Sequence, residues 1–170
     1  MKGHPATGKS TLATALAQTL KWPLLDKDDI KDHTLSLPDA NDLAYAILWQ
    51  VVATQLRLGV SVIVDSPFAY PTLYDRAKAL TQEYGARLLV VETQLEEARW
   101  RQRLEERSPT ESTHKIQGWA RMQTHLAHYN GCWRYPIEPA HYLVVNTAEP
   151  LAVLLQQIQQ RLKTLPTENV

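Results

Sequence analysis

The sequence predicts a three-layer, doubly wound α/β domain built on a parallel sheet, and three observations predict it. Short apolar runs alternate with stretches of helical periodicity along nearly the whole chain, the pattern of strands covered by helices on both faces. The opening Gly3-His4-Pro5-Ala6-Thr7-Gly8-Lys9-Ser10 fits G-x-x-x-x-G-K-[ST] and runs straight into an amphipathic stretch. Two later apolar runs, WPLLD and VSVIVD, each end in aspartate.

The elements follow in order. Leu12, Leu16 and Leu20, with Ala13 and Ala17, put an apolar stripe on a helix over residues 11–20, and residues 22–26 read as a short buried strand. Leu43, Ile47 and Val51 carry a helix across 39–58 that ends near Gly59, and 60–65 (VSVIVD) is the clearest strand. A helix over 71–84 stops at Gly85, and residues 86–92 (ARLLVVE) are apolar and short enough for a central parallel strand. Residues 94–107 make a charged helix, 116–129 a further helical piece, and 141–146 (HYLVVN) the last strand. Leu151, Leu154, Leu155, Ile158 and Leu162 line a closing amphipathic helix, and residues 166–170 fray. There is no repeat, low-complexity tract or Gly/Ser linker, so residues 1–165 read as one domain. A fifth strand belongs before Gly3, at the centre of the sheet between 60–65 and 86–92. Only Met1 and Lys2 precede Gly3, so the first strand is expected to be truncated, and Met1 to be an internal methionine of a longer protein whose upstream apolar segment runs into Lys2.

At 170 residues, 44% hydrophobic and 21% charged, the chain can bury a sizeable core. Eighteen Lys and Arg balance eighteen Asp and Glu, so no global positive field recruits a polyanion and nucleic acid is a secondary partner. Cys132 alone excludes an intramolecular disulfide and suits a reducing compartment. No run approaches the ~20 apolar residues of a membrane span, and the first residues lack the apolar core of a secretory signal. The cytoplasm is the default location, with organelle targeting open if a segment lies upstream. Nothing in the composition sets the oligomeric state.

The glycine-rich loop carries the most specific chemistry. Gly3 and Gly8 permit backbone conformations and close approaches that a side chain blocks, which lets successive N–H groups point at phosphates. Lys9 can reach the β and γ phosphates of ATP, Ser10 can ligate Mg²⁺, and the N-terminus of the following helix adds its positive dipole end. Gly3, His4, Pro5, Ala6, Thr7, Gly8, Lys9, Ser10 and Thr11 together are the expected nucleotide cradle. Four acids crowd LLDKDDIKD, where a strand-end carboxylate beside such a loop can take the proton of an attacking hydroxyl. Asp28 or Asp29 can equally cap the next helix. Arg99, Arg103 and Arg107 recur every four residues on one helical stripe, placed to neutralise phosphoryl charge or to pair with Glu96, Glu97, Glu105 and Glu106.

Residues 3–11, Asp26-Lys27-Asp28-Asp29-Ile30-Lys31, Val62-Ile63-Val64-Asp65-Ser66-Pro67 and Arg103-Leu104-Glu105-Glu106-Arg107 together give a chain that resembles the P-loop small-molecule kinases. That group includes chloramphenicol phosphotransferase, zeta-toxin-like kinases and the kinase domain of polynucleotide kinases, and many members carry the label of AAA-family ATPase. The resemblance implies a P-loop NTPase fold of the nucleoside-monophosphate-kinase-like type with ATP and Mg²⁺ as cofactors. By the D-D-x-[RK] pattern it implies Asp28 as catalytic base and Lys31 as an acceptor contact. It implies Asp65 either at a Mg²⁺-bound water or near the acceptor. R-L-x-x-R resembles the lid entry of adenylate-kinase-like enzymes, which implies Arg103 on the adenine and Arg107 on phosphate, a lid around 99–118, and 108–114 as its tip.

The expected function is Mg²⁺-dependent transfer of the γ-phosphate of ATP to a hydroxyl of a small molecule. The alternatives are a polynucleotide 5′-hydroxyl kinase and a non-catalytic module that binds or hydrolyses ATP as a switch. Nothing in the sequence names the acceptor. His125, His128 and Cys132 could share a helical face as a zinc set, but Gly131 breaks the helix there and no fourth ligand is evident. Tyr45 and Trp49 read as core or as walls of an acceptor pocket.

Overall fold

The computed structural model describes residues 1–107 and 116–166. The proposed lid tip at 108–114 and nearly all of the tail at 166–170 therefore lie outside the described residues. In chain order the elements are α1 (Lys9–Leu20), β1 (Leu24–Asp26), α2 (Lys27–Thr34), α3 (Ala40–Arg57), β2 (Ile63–Asp65), α4 (Pro71–Glu83), β3 (Val90–Gln94), α5 (Glu97–Glu105), α6 (Trp119–His128), β4 (Tyr142–Asn146) and α7 (Leu151–Lys163).

Every strand pair is parallel. β1 lies on β2 in the register Leu24 to Ile63 and Asp26 to Asp65, and β3 lies on β4 from Val90–Tyr142 to Gln94–Asn146. The two pairs are joined through the chain's first residues. Lys2 N–H donates to Val91 O at 2.8 Å and Thr93 N–H to Lys2 O at 2.9 Å, while the Met1 ammonium donates to Val64 O at 2.6 Å and Gly3 N–H to Pro67 O at 3.3 Å. Residues 1–3 thus occupy the central place between β2 and β3 that the sequence reading assigned to the strand before the loop, with one bridge, Lys2 to Glu92, in place of a ladder.

Helices cover both faces. Leu12, Ala13 and Leu16 of α1 and Leu154 and Ile158 of α7 pack with Ile63, Val91 and Val145 on one side. Trp49 and Val52 of α3 and Tyr74, Ala77 and Leu80 of α4 pack with Phe68 and Val90 on the other. Neighbours Val90 and Val91 go to opposite layers, as successive strand side chains must. Each fully buried Leu contributes roughly 1.5–3 kcal/mol, and Leu12, Leu48 and Leu80 are all exposed by 2% or less.

The fold class is that of the sequence reading, with shifted boundaries. The regular strand in 60–65 is only Ile63–Asp65, and the one expected at 86–92 starts at Val90 and continues to Gln94. α2 was expected only as the helix that Asp28 or Asp29 would cap. It forms directly after β1, because Asp26 ends the strand in extended conformation and accepts from Asp28 N–H at 2.8 Å.

Candidate active site

Close contacts at its back fix the shape of the glycine-rich loop. The Thr7 hydroxyl donates to His4 O at 2.7 Å and shares a hydrogen bond with Thr93 Oγ1 at 2.8 Å, and the Thr147 hydroxyl donates to Thr7 O at 2.8 Å. Gly3 sits where a Cβ would come within 2.2 Å of Thr93 Oγ1, and Ala6 and Gly8 take positive φ values of 63° and 89°. Gly8 caps α1 with no side chain on the helix N-terminus, and the first turn holds no acid. Its free N–H groups and positive dipole end are left for an external anion.

His4 has a supporting position. Its ring stacks on Trp133 at a centroid distance of 3.7 Å and on Trp100 at 5.1 Å, while its carbonyl accepts from Lys9 Nζ at 3.1 Å. Burial, with Lys2 and Lys9 adding to it, lowers its pKa to about 3, so the imidazole is neutral. Trp100 Nε1 donates to Pro5 O at 2.7 Å and so ties α5 to the loop.

In front of the loop lies a cavity of about 1130 Å³. It is lined by every predicted site residue except Gly3, His4 and Thr7, which brace the loop from behind. Lys9 sits deep in it. Burial lowers its pKa, Asp65 and Asp28 oppose the shift, Arg107 adds to it and Asp26 opposes it, which places these groups within electrostatic reach of one ammonium. Asp28 lines the cavity from the first turn of α2, its Oδ1 at 3.1 Å from Nζ of the buried Lys27. Lys27 Nζ also lies 3.5 Å from Asn41 Oδ1.

Helix capping in this segment belongs to Asp26, neither to Asp28 nor to Asp29. Asp26 stands level with Asp65 across the β1–β2 pair. Burial raises its pKa to about 6, the Asp28 backbone N–H opposes that, and Asp65, Asp28 and Asp29 add to it. Asp65 is 2% exposed, and among the described residues its Oδ1 has no hydrogen-bond partner.

Arg103 reaches across Gly8. Its Nη2 donates to Thr147 O at 3.2 Å, and its Nη1 lies 3.4 Å from where a Gly8 Cβ would stand. Arg107 lines the same cavity and donates to Ile116 O at 3.4 Å. Arg99 is exposed and does not line it. The donors imagined for zinc are engaged elsewhere, His125 with the Tyr129 hydroxyl, His128 with Thr124 O and Cys132 with Tyr129 O. No described helix is long and apolar enough to cross a membrane.

A family profile for an AAA domain matches residues 1–128, three quarters of the 170-residue chain. The chain belongs to this AAA domain family. No curated protein matches it. Among solved structures, a protein from Chloroflexus aurantiacus J-10-fl whose kinase designation is provisional is 26% identical, with 94% of this chain and 95% of that one covered at a TM-score of 0.72. A gluconokinase from Sinorhizobium meliloti 1021 is 19% identical over 96% of this chain and 90% of its own (TM-score 0.63). The APS kinase of Mycobacterium tuberculosis, solved with AMPPNP and APS, is 17% identical over 96% and 95% (TM-score 0.66). The fold of this AAA domain is that of P-loop kinases.

The donor set suits a hard divalent cation. Mg²⁺ takes oxygen ligands and retains water, and here the cavity offers the Ser10 hydroxyl and the buried Asp65 Oδ1, partnerless among the described residues. Sequence reasoning left several residues of the site without a role. Lys27 and Asp26 carried no signal beyond their place in an acid-rich run, although LLD and IVD both end in aspartate. Thr93, which locks Thr7, gave none at all. Ser66, 3% exposed, shows its place only once β2 is seen to end against the cavity.

Proposed function

We propose that this AAA domain is a Mg²⁺-ATP-dependent kinase that phosphorylates a hydroxyl of a small molecule. The observation that carries the reading is the convergence of Lys9, Asp28, Asp65 and Arg107, from four separate segments, on one cavity in front of an uncapped helix N-terminus. The kinase designations of its structural neighbours support the same chemistry.

In this reading the triphosphate lies along residues 3–11, with Lys9 on the β and γ phosphates and Arg103 over Gly8 towards the adenine end. Ser10 and Asp65 would hold Mg²⁺, which would supply positive charge to offset that of the phosphates. The acceptor oxygen bonds to the γ phosphorus and passes its proton to Asp28. The bond from that phosphorus to the β–γ bridging oxygen breaks, and ADP leaves with the electron pair. Lys27, ion-paired to Asp28, orients the carboxylate. Arg107 neutralises charge spread over the γ oxygens in the transition state. The test is ADP release from Mg²⁺-ATP across a panel of hydroxylated metabolites, with mass spectrometry of the product. Acceptor-dependent release that Lys9→Ala abolishes supports the reading. ATP hydrolysis that no acceptor accelerates would replace it with a nucleotide switch.

A further inference from the structure

The acceptor end of the cavity has a chemistry of its own, and an acceptor class assigned from it rests on the kinase reading. Its walls are aromatic. Tyr129, 6% exposed, and Tyr70 meet edge-on at a centroid distance of 6.1 Å, and Tyr45 faces the same space from α3. Burial raises the pKa of the Tyr45 hydroxyl, and a side-chain hydrogen bond with the buried Ser66 opposes that shift.

Lys31 brings a positive charge to this end. Lys31, half-buried on the cavity wall, makes no hydrogen bond or ion pair through its ammonium among the described residues. His125 lines the cavity from α6, and Lys31 and His128 both disfavour its charged form, burial being the larger cause. The His125 Nε2 is taken by the Tyr129 hydroxyl at 2.8 Å, which fixes the ring and leaves Nδ1. Asp28 and Asp32 both favour the charged form of Lys31; Asp28 is itself bonded to Lys27 at 3.1 Å, and Asp32 is exposed and does not line the cavity. Asp65 and Asp26 act on Lys9, as Asp28 does.

We infer that the acceptor is a small hydroxylated anion, its carboxylate or phosphate held between Lys31 and His125 and its reactive hydroxyl at Asp28. Asp28 and Lys31 stand three residues apart on α2, a spacing that puts their Cβ atoms about 5–6 Å apart on one face. The anion and the hydroxyl are therefore separated by a few bonds. The tyrosine rings pack the carbon skeleton between them.

Matched pairs test the charge requirement: gluconate against sorbitol, and glycerate and glycerol 3-phosphate each against glycerol, with Mg²⁺-ATP and the wild-type chain. One charge-assisted hydrogen bond is worth about 10–100-fold, so the anion of any pair turned over should show at least a tenfold higher kcat/KM. Lys31→Met should raise KM for that anion by about tenfold and leave KM for ATP within about twofold. Equal or better turnover of the neutral partner overturns the inference and leaves the kinase reading standing. A second measurement needs no turnover. With Mg²⁺-AMPPNP on the loop, inorganic phosphate and glycerate should shift the His125 imidazole resonance in the wild type and not in Lys31→Met. A resonance that neither anion moves overturns the anion site, whereas loss of ATP binding or of all ADP release strikes the kinase reading alone.

Discussion

Replacing Gly3 by alanine tests how the loop is held, independently of what it binds. The added Cβ would stand 2.2 Å from Thr93 Oγ1, 2.9 Å from Thr7 Oγ1 and 3.0 Å from Lys9 Cγ, at a φ of +155° that only glycine adopts readily. Two costs arise. Holding a non-glycine residue in that backbone region costs about 1–3 kcal/mol, and driving Thr93 away from Thr7 forfeits their 2.8 Å hydrogen bond, worth about 0.5–1.5 kcal/mol. The sum, about 1.5–4.5 kcal/mol, lowers the Tm of a domain of this size by roughly 3–18 °C. Differential scanning calorimetry reads it directly. The steric and backbone parts separate in a cycle with Thr93→Ala, which removes the closest clash but not the φ penalty. If the clash is real, Gly3→Ala/Thr93→Ala melts no lower than Gly3→Ala, although Thr93→Ala alone loses the bond to Thr7. Strict additivity of the two losses, or a Gly3→Ala variant that melts with the parent, would refute the geometry.

Asp28→Asn should keep ATP affinity in equilibrium titration while phosphotransfer falls by about 10²–10⁴-fold, the usual contribution of a general base; if Asp65→Asn behaves that way and Asp28→Asn is near neutral, the base is at the other strand end. Arg107→Ala should lower kcat more than it weakens ATP binding, since a guanidinium that meets the charge developing on the γ oxygens counts most in the transition state, and equal losses in rate and affinity would mark a ground-state contact. Asp26, raised to about 6 by burial, keeps its proton in the folded state after the unfolded chain has released it near pH 4. The native state then holds more protons, so this group's contribution to stability falls as pH rises from about 4 to 6 and stays low above that. Asp26→Asn, which still caps α2, should flatten that slope in urea melts taken across the window; an unchanged slope would show that Asp26 is not the titrating group.

Periodicity and local chemistry made the layers legible. The Leu12–Leu16 stripe, the IVD run and the α7 leucines reached the core by patterns readable in one dimension, because amphipathic helices and apolar strands have few other places to go. Boundaries were less legible. In ARLLVVETQ the apolar residues end at Val91, yet the ladder continues through Glu92, Thr93 and Gln94, because β4 pairs with them and Lys2 bonds across at Thr93. Hydropathy does not register a hydrogen-bonded strand that turns polar as it approaches a ligand loop. The same limit hid Thr93 from any reading of function.

The carboxylates show how the site depends on register. Along the chain, Asp26, Asp28, Asp29 and Asp32 are four similar acids. Folding separates them: the β1–β2 register sets Asp26 against Asp65, the start of α2 spends the Asp26 side chain on Asp28 N–H, and the turn of the helix then carries Asp28 to the cavity with Lys27 beside it. A cap at Asp28 would have occupied the oxygen that a base needs. Asp26 supplies the cap two residues earlier, so Asp28 lines the cavity without capping α2, and in the proposed reaction Lys31, a further turn along the same helix, would lie beside the acceptor whose hydroxyl Asp28 serves. In that proposal specificity and catalysis are coupled through α2, so moving the cap should disturb both. Asp26→Ala, which removes the cap and keeps every other lining group, should raise acceptor KM and lower kcat together while ATP affinity holds. A loss of stability of about 1 kcal/mol with both kinetic constants intact would show that α2 needs no cap to present Asp28.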